Sequence, residues 1–554
     1  MSRIVSSEVV RIYKGVHTWT GVIAGLALFI AFYAGAITVF EGPLSRWTAE
    51  GEPPQSIPID RAERLIERVL AERPDAQAEF RLHLTGPERD RVYLAWQEGR
   101  KAATQWTAIL DAEGAPVVAE RPTKGAADLV DHVHRTAALP GGLEFGTTVM
   151  GLVSALYVIA LVSGLIVWLP SAGKDLLALR LGRGVKRKWL DAHNLVGIAS
   201  LPFHLAIALT AVVFGLHDSI YAGLDRIVYQ GQMRPLMQAS NPFAVAKPDA
   251  RPAAMLPPSE LIERVRTLEP GLRPLKLQYR RAGTRGASLV VWGEDRRHLV
   301  RLMGFTVMSP VSGEILDTQY LPGHQGLWSR IVSVFFALHF GTFGGEPVRW
   351  GYFVLGLAGT FLFYSGNLLW IESRRRSLAR ARDGSGEHIA QRRDTRIMAA
   401  LTVGVGLGCI GGLSLAIALG KLLHGQVTHP GPWLWLGYYA LFLGSVIWAL
   451  RLGAARAAAP LLLVSAMATL CIPLASLLIA QVPLSQLFVR SGDAVVAVDA
   501  VALCAALGLL WMAWLARRRA RKGATDSVWS LSEPSPLQPN PTAIHQHRES
   551  IHGQ

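Results

Sequence analysis

The sequence predicts an integral-membrane, all-α helical bundle of about eight spans, with two α+β domains carried in exported loops. Three observations lead there. Half of the 554 residues are hydrophobic, and they gather in runs of about twenty, the length that crosses a bilayer core. The net charge of +15 is concentrated in loops between those runs, on alternate sides. Two long polar loops break the apolar pattern and alternate as short helices and strands. In a soluble chain such a charge would suggest nucleic acid as a partner. Its confinement to the flanks of apolar runs excludes that reading and follows the positive-inside rule.

Residues 1–17 form a cytoplasmic N-terminus. The first apolar run, 18–40, is long for a signal peptide and has no small-residue cleavage site after it, so it reads as a retained span. An exported loop, 41–145, follows, with an amphipathic helix at 61–74 and strands at 91–96 and 106–111. The second span is 146–169, a basic loop occupies 170–192, and the third span is 193–216. The second exported loop, 217–348, repeats the order: a helix at 259–268, then strands in LKLQYRR, SLVVWG and HLVRLMGF. The fourth span is 349–371, and a basic loop fills 372–396. Four more spans lie within 397–515, at 397–420, 432–450, 458–481 and 496–515. Residues 516–554, polar with Pro and Ser, read as a disordered cytoplasmic tail.

Loop charge sets the orientation. Segment 171–192 has six Lys or Arg, 372–396 has eight, and RRRARK after the last span adds five; the short loops after spans five and seven have one each. All basic loops share one side if both termini are cytoplasmic, which places the chain in a bacterial inner membrane. The three cysteines, Cys409, Cys471 and Cys504, lie in apolar segments and give neither a disulfide framework nor a thiolate metal site. No C-x-x-C-H occurs, so any haem would be held without covalent attachment.

The first two-thirds of the chain repeats itself. His17-x-x-x-Gly21 opens span one and His193-x-x-x-Gly197 opens span three. DHVHRTAALPGG (131–142) precedes span two and FALHFGTFGG (336–345) precedes span four; these spans end in SGLIVW (163–168) and SGNLLW (365–370). The unit is span, exported domain, short helix with His, Gly break, span. Two copies would surround a pseudo-two-fold axis along the membrane normal.

Imidazole is the usual axial ligand of cytochrome iron, and facing helices can each supply one. His17 and His193 lie at cytoplasmic helix starts, and His134 and His339 lie in short helices at the exported face. Each pair joins repeat-equivalent residues, so a haem b on the axis would take one ligand from each copy. A lone interfacial histidine more often pairs with headgroups or backbone; four at matched positions favour a ligand set. His204 lies about 16 Å deeper than His193 on nearly the same helix face. Leu28 occupies its place in the other copy, so it ranks as a reserve ligand. His132 competes with His134. His424 and His429 read as solvated loop residues, and His545, His547 and His552 fall in the tail. Arg135, Arg330 and Arg349 flank the exported histidines and would pair with haem propionates or snorkel at the interface. Trp168, Trp328 and Trp370 fit an aromatic belt. Gly142, Gly344 and Gly345 suit the turn from short helix into span.

HTWTG (17–21), HR (134–135), VSGLIVWLP (162–170), DAHNLVGIASLPF (191–203) and ALHFGTFGG (337–345) together make residues 10–375 resemble the PepSY-associated transmembrane family, the iron-regulated membrane proteins. The resemblance implies PepSY-like domains in the exported loops. Some members resemble di-haem siderophore reductases, which implies His17, His193, His134 and His339 as ligands of two b-type haems and a ferric siderophore as the periplasmic acceptor. Spans five to eight have no counterpart in four-span members, and span three has Thr210-Ala211 where the family pattern has Thr-Gly. No flavodoxin-like or nucleotide-binding segment is present, so the electron donor would be a separate cytoplasmic reductase or a membrane quinol. The expected function is therefore haem-dependent ferric-siderophore reduction. The alternatives are a non-enzymatic PepSY protein that binds peptides or regulates a peptidase, and a siderophore or metal transporter. The absence of a run of intramembrane acidic residues to couple protons counts against transport.

Overall fold

The computed structural model describes residues 6–48, 55–99, 104–122, 125–172, 180, 184–233, 235–236, 241, 243, 246–295, 297–376, 391–480 and 493–531. The helices are α1 (Ser7–Thr38), α2 (Glu41–Thr48), α3 (Ala62–Glu72), α4 (Ala126–Thr136), α5 (Leu143–Trp168), α6 (Val185–Ala199), α7 (Leu201–Leu224), α8 (Pro258–Leu268), α9 (Leu327–Phe340), α10 (Gly345–Ser373), α11 (Arg393–Leu422), α12 (Gly431–Leu452), α13 (Ala454–Ala480) and α14 (Asp493–Lys522). Eight of them, α1, α5, α7 and α10 to α14, are long and apolar enough to cross a membrane, so the chain is a multi-pass membrane protein.

The first helix starts well before residue 18, because Ser6 caps it by accepting from the Val9 amide at 3.3 Å. The third span departs from the expected 193–216. Pro202 in the first turn of α7 cannot donate to the preceding turn, so the helix breaks at Ser200 and α6 is a separate element. His193 therefore sits on α6 and His204 on α7. At the far end of the chain, α14 continues to Lys522, and residues 523–531 fold back instead of forming a free tail. The Leu531 amide donates to the Ala520 carbonyl at 2.7 Å, Asp526 pairs with Arg375, and Trp529 joins the buried cluster that contains Trp370 and Ala399. The same packing buries Trp370, which was expected in the interfacial belt. Residues 532–554, with the tail histidines, and residues 377–390 of the second basic loop lie outside the described residues, as do 173–179 and 181–183 of the first.

The strands are β1 (Ile57–Pro58), β2 (Glu79–Thr85), β3 (Arg91–Trp96), β4 (Thr104–Leu110), β5 (Pro116–Pro122), β6 (Arg273–Arg280), β7 (Ser288–Glu294), β8 (Gly304–Met308) and β9 (Ile315–Asp317). The two long loops do not form two separate α+β domains. Their strands join one nine-stranded antiparallel sheet, ordered β5-β4-β3-β2-β6-β7-β8-β9, with β1 on β3. Each loop contributes a helix and a meander, and β2 against β6 is the seam. The expected strand HLVRLMGF is shorter than read, because Asp295 Oδ1 accepts from the Arg297 and His298 amides and holds that stretch in a turn.

The repeat is visible in the packing. LIERV occurs at 65–69 in α3 and at 261–265 in α8, and in both copies its Leu, Ile and Val fill the same core against one sheet face. At the seam Leu82 stands opposite Leu277, both fully buried in that core. Since both helices cover the same face, the axis that exchanges the copies runs through the seam perpendicular to the sheet.

In the membrane part, α1 packs on α5 and α10, α5 on α7, and α6 on α10. The additional spans centre on α11, whose glycines let neighbouring backbones approach closely. A Cβ at Gly404 would lie 2.8 Å from Val446 Cα, and one at Gly408 would lie 2.9 Å from the Phe442 carbonyl.

Candidate cofactor site

The four histidines meet as two pairs. The rings of His17 and His193 have centroids 6.4 Å apart at the end of the bundle far from the sheet. Those of His134 and His339 lie 6.2 Å apart at the end nearer the sheet. Along α1, fourteen residues separate His17 from Ala31, the residue that holds His134, so the pairs are about 20 Å apart in depth.

Each histidine is fixed through Nδ1. His17 Nδ1–H donates to the Ala160 carbonyl at 2.8 Å, and His134 Nδ1–H donates to the Ala31 carbonyl at 2.8 Å. In the second copy a hydroxyl takes part as well. His193 Nδ1–H donates to Ser365 Oγ at 2.9 Å, and Ser365 Oγ–H donates to the Leu362 carbonyl at 3.1 Å. His339 Nδ1–H donates to Thr210 Oγ1 at 2.9 Å, and Thr210 Oγ1–H donates to the carbonyls of Ala206 and Ile207 at 2.7 and 3.1 Å. Leu362 is the repeat equivalent of Ala160, and Ile207 that of Ala31. A carbonyl only accepts, and a hydroxyl whose proton is already given can only accept from the ring. All four imidazoles are thereby set as the Nδ1–H tautomer, which leaves Nε2 as a lone-pair donor. Outer hydrogen bonds of this kind orient metal-bound histidines.

A ligating imidazole nitrogen lies about 2 Å from its metal, so two rings on opposite sides of one ion have centroids about 6 Å apart. Both pairs fit that separation. Among the described residues no group of three or more His, Cys, Asp or Glu could hold a bare metal ion. The pairs therefore suit a metal whose remaining ligands come from a macrocycle, as in haem.

The other residues read from the sequence are placed as follows. Arg135 pairs with Asp131 at 3.5 Å and Arg349 with Glu346 at 2.8 Å, both exposed, and Arg330 Nε donates to the Gln325 carbonyl at 2.8 Å. His204 is fully buried between the depths of the two pairs, and neither ring nitrogen has a hydrogen-bond partner. Its ring neighbours are Phe32, Tyr157 and Phe203, at 5.3 to 6.2 Å, and no histidine among the described residues faces it. His132 turns to Trp435 at 5.1 Å instead of to His339. Gly142, Gly344 and Gly345 have φ of +89°, +70° and +66°, as the turns into α5 and α10 require.

Sequence reading missed the residues that hold the rings. Ser365 stands in the repeated Ser-Gly of SGLIVW and SGNLLW, a usable signal. Thr210 was noted only for the residue after it. Ala31 and Ala160 act through backbone carbonyls and carry no side-chain signal at all.

Residues 15–373 match the family model of the PepSY-associated TM region. An uncharacterized protein of Pseudomonas aeruginosa strain PAO1 is 25% identical over 276 residues, which cover 47% of this chain and 64% of that relative. The match thus spans somewhat less than two-thirds of the relative's own length. The chain belongs to the PepSY-associated TM family.

Proposed function

We propose that this member of the PepSY-associated TM family holds two b-type haems, one between His17 and His193 and one between His134 and His339, and moves electrons across a bacterial inner membrane to a ferric siderophore in the periplasm. The observation that carries the reading is the pairing of repeat-equivalent histidines at 6.4 and 6.2 Å with every Nδ1 hydrogen-bonded, so that Nε2 is left for a metal. When bound, haem supplies a reversible one-electron iron couple.

The chain's own part is to hold the rings and keep water out. Carbonyl and hydroxyl acceptors fix each tautomer and raise the basicity of Nε2. Phe32, Tyr157, Phe363 and His204 fill the bundle between the two depths with rings 5.2 to 6.2 Å apart, a largely aromatic core. With both termini cytoplasmic, the far-side pair faces the donor, a cytoplasmic reductase or a membrane quinol, and the sheet-side pair faces the acceptor. Reduction releases iron because the less highly charged Fe(II) is held less tightly by hard oxygen donors.

The test is the optical spectrum of the purified protein. Protein from haem-replete cells should show a reduced α-band and two haems per chain, and His17→Ala and His134→Ala should each remove about half. A colourless preparation would overturn the reading, and two single variants that keep all their haem would overturn the ligand assignment.

A further inference from the structure

The sheet has one face packed by α3 and α8 and another that holds a different kind of residue. Along β2, Phe80, Leu82 and Leu84 enter the core, so Arg81 and His83 point the other way; along β6, Leu277 and Tyr279 enter it, so Lys276, Gln278 and Arg280 do not. Register places His83 opposite Lys276 on one side and opposite Tyr93 on the other, and Lys276 opposite Trp292. Four cations lie on these two strands: Arg273, at the end of β6, pairs with Glu294 at 3.5 Å, and Arg81, Lys276 and Arg280 lie around the carboxylate of Glu79, which pairs with Arg81 at 3.2 Å and Arg280 at 3.1 Å. Across the seam Arg280 faces Glu79, Arg81 faces Gln278 and Lys276 faces His83.

The aromatic rings complete the surface. His83 stacks on Tyr93 at 4.8 Å with the planes 4° apart, and Lys276 Nζ lies 4.9 Å from the Trp292 ring centroid. His83 Nε2 is buried with no hydrogen-bond partner. Burial, then Lys276 and Arg81, hold His83 down to about 4. Burial and Arg81 also lower Lys276. Glu79 acts on Lys276 in the opposite sense.

This face looks toward the membrane bundle. Phe243, on the chain leaving α7, and Tyr320, on the chain entering α9, both pack on it against Phe305. The Arg301 guanidinium bridges to the bundle, 5.7 Å from the Tyr320 ring and 4.4 Å from that of Phe336, in the helix that carries His339. The axis through the Leu82–Leu277 seam exchanges the same two copies as the His134–His339 pair. Arg81, His83, Lys276 and Gln278 flank that axis on the side of the histidines.

We infer that this face is a binding site for an anionic, aromatic metal chelate of the catecholate or phenolate type, with Arg81 and Lys276 supplying charge and Tyr93 and Trp292 supplying flat walls. The occupant's identity as a chelate rests on the reductase reading above; the cationic, aromatic surface does not. Cationic chelates, such as hydroxamates with a free amine, are excluded by the same charge.

The experiment uses gallium(III), which keeps the chelate's shape and is not reduced, with the purified full-length protein in detergent and isothermal titration calorimetry. A gallium tris-catecholate should bind, and a cationic gallium trihydroxamate should not. Arg81→Gln and Lys276→Gln should each weaken binding about tenfold, with Lys276→Arg close to wild type and the haem spectrum of all three unchanged. Equal binding of the two chelates would overturn the inference, as would unchanged affinity in a folded, monodisperse Arg81→Gln/Lys276→Gln double variant. The readout needs no haem and no electron transfer. A colourless protein that binds the anionic chelate defeats the reductase reading alone; a di-haem protein that does not bind it defeats this inference alone.

Discussion

At the scale of single residues, the two copies solve one problem in two ways. In the first copy each imidazole donates straight to a carbonyl; in the second, the hydroxyls of Ser365 and Thr210 take up the rings. Thr210 spends its one proton on carbonyls of its own helix, so its oxygen is obliged to accept from His339. Thr210→Val keeps the shape and removes that acceptor. The His339 tautomer is then no longer fixed and its Nε2 is a poorer ligand, a loss that for metal-binding histidines is typically about 10- to 100-fold in affinity. Haem titration of the apoprotein should show weaker binding at the sheet-side site and none of this at the His17 site, with Thr210→Ser near wild type. Identical titrations for Thr210→Val and wild type would remove Thr210 from the site.

At the scale of elements, the same difference dictates where glycine is needed. A ring that reaches a carbonyl directly must lie against the helix backbone. A Cβ at Gly164 would sit 2.8 Å from His17 Cε1, and one at Gly35 would sit 2.7 Å from His134 Nδ1. In the second copy the hydroxyl holds the ring away: Gly366 is 3.7 Å from His193 Cε1 by the same measure, and the equivalent of Gly35 is Ala211. The Thr210-Ala211 departure noted in the sequence is thus part of the His339 support. Gly164→Ala should cost the far-side haem, while Gly366→Ala should leave it in place; haem content per chain distinguishes them, and equal retention would show that the close packing on α5 is not needed. The histidines, the glycine breaks and the doubled Ser-Gly were legible because a repeat compares the chain with itself. The shared sheet was not, since the β2–β6 pairing joins residues about two hundred apart and local alternation says nothing of which strands meet. The break between α6 and α7 was masked by continuous hydrophobicity through Pro202, and the fold-back at 523–531 by a polar composition that hides Trp529.

At the scale of the whole molecule, spans five to eight make the two copies unequal. They pack on α4, the helix of His134: a Cβ at Gly420 would lie 2.7 Å from Ala126 Cβ, and the Tyr439 hydroxyl donates to the Ala138 carbonyl at 2.9 Å. On the other side α9, the helix of His339, leaves Leu327 and Trp328 77% and 69% exposed. The helix of one sheet-side ligand is clamped within protein, and the helix of the other starts on an outward face. The clamp is tied by Trp47, which donates through Nε1 to Asp499 at 2.8 Å and accepts through its carbonyl from Lys421 at 3.1 Å; Ser476 also donates to Asp499, at 3.0 Å. Charges at such depth persist only when they are partnered. Asp499→Leu would strand the Trp47 and Ser476 donors, at about 1–3 kcal/mol for each buried group left unsatisfied, and would take the carboxylate away from Lys421. Asp499→Asn keeps an acceptor and should cost less. Because the tie supports α4 and not the far end of the bundle, the damage should be local. In a His17→Ala background, where only the sheet-side haem is retained, Asp499→Leu should release haem at a lower temperature, read from the α-band during a thermal ramp. In a His134→Ala background, which retains only the far-side haem, the same substitution should shift release much less. Equal shifts in the two backgrounds would mean that the additional spans stabilise the bundle generally and do not clamp His134.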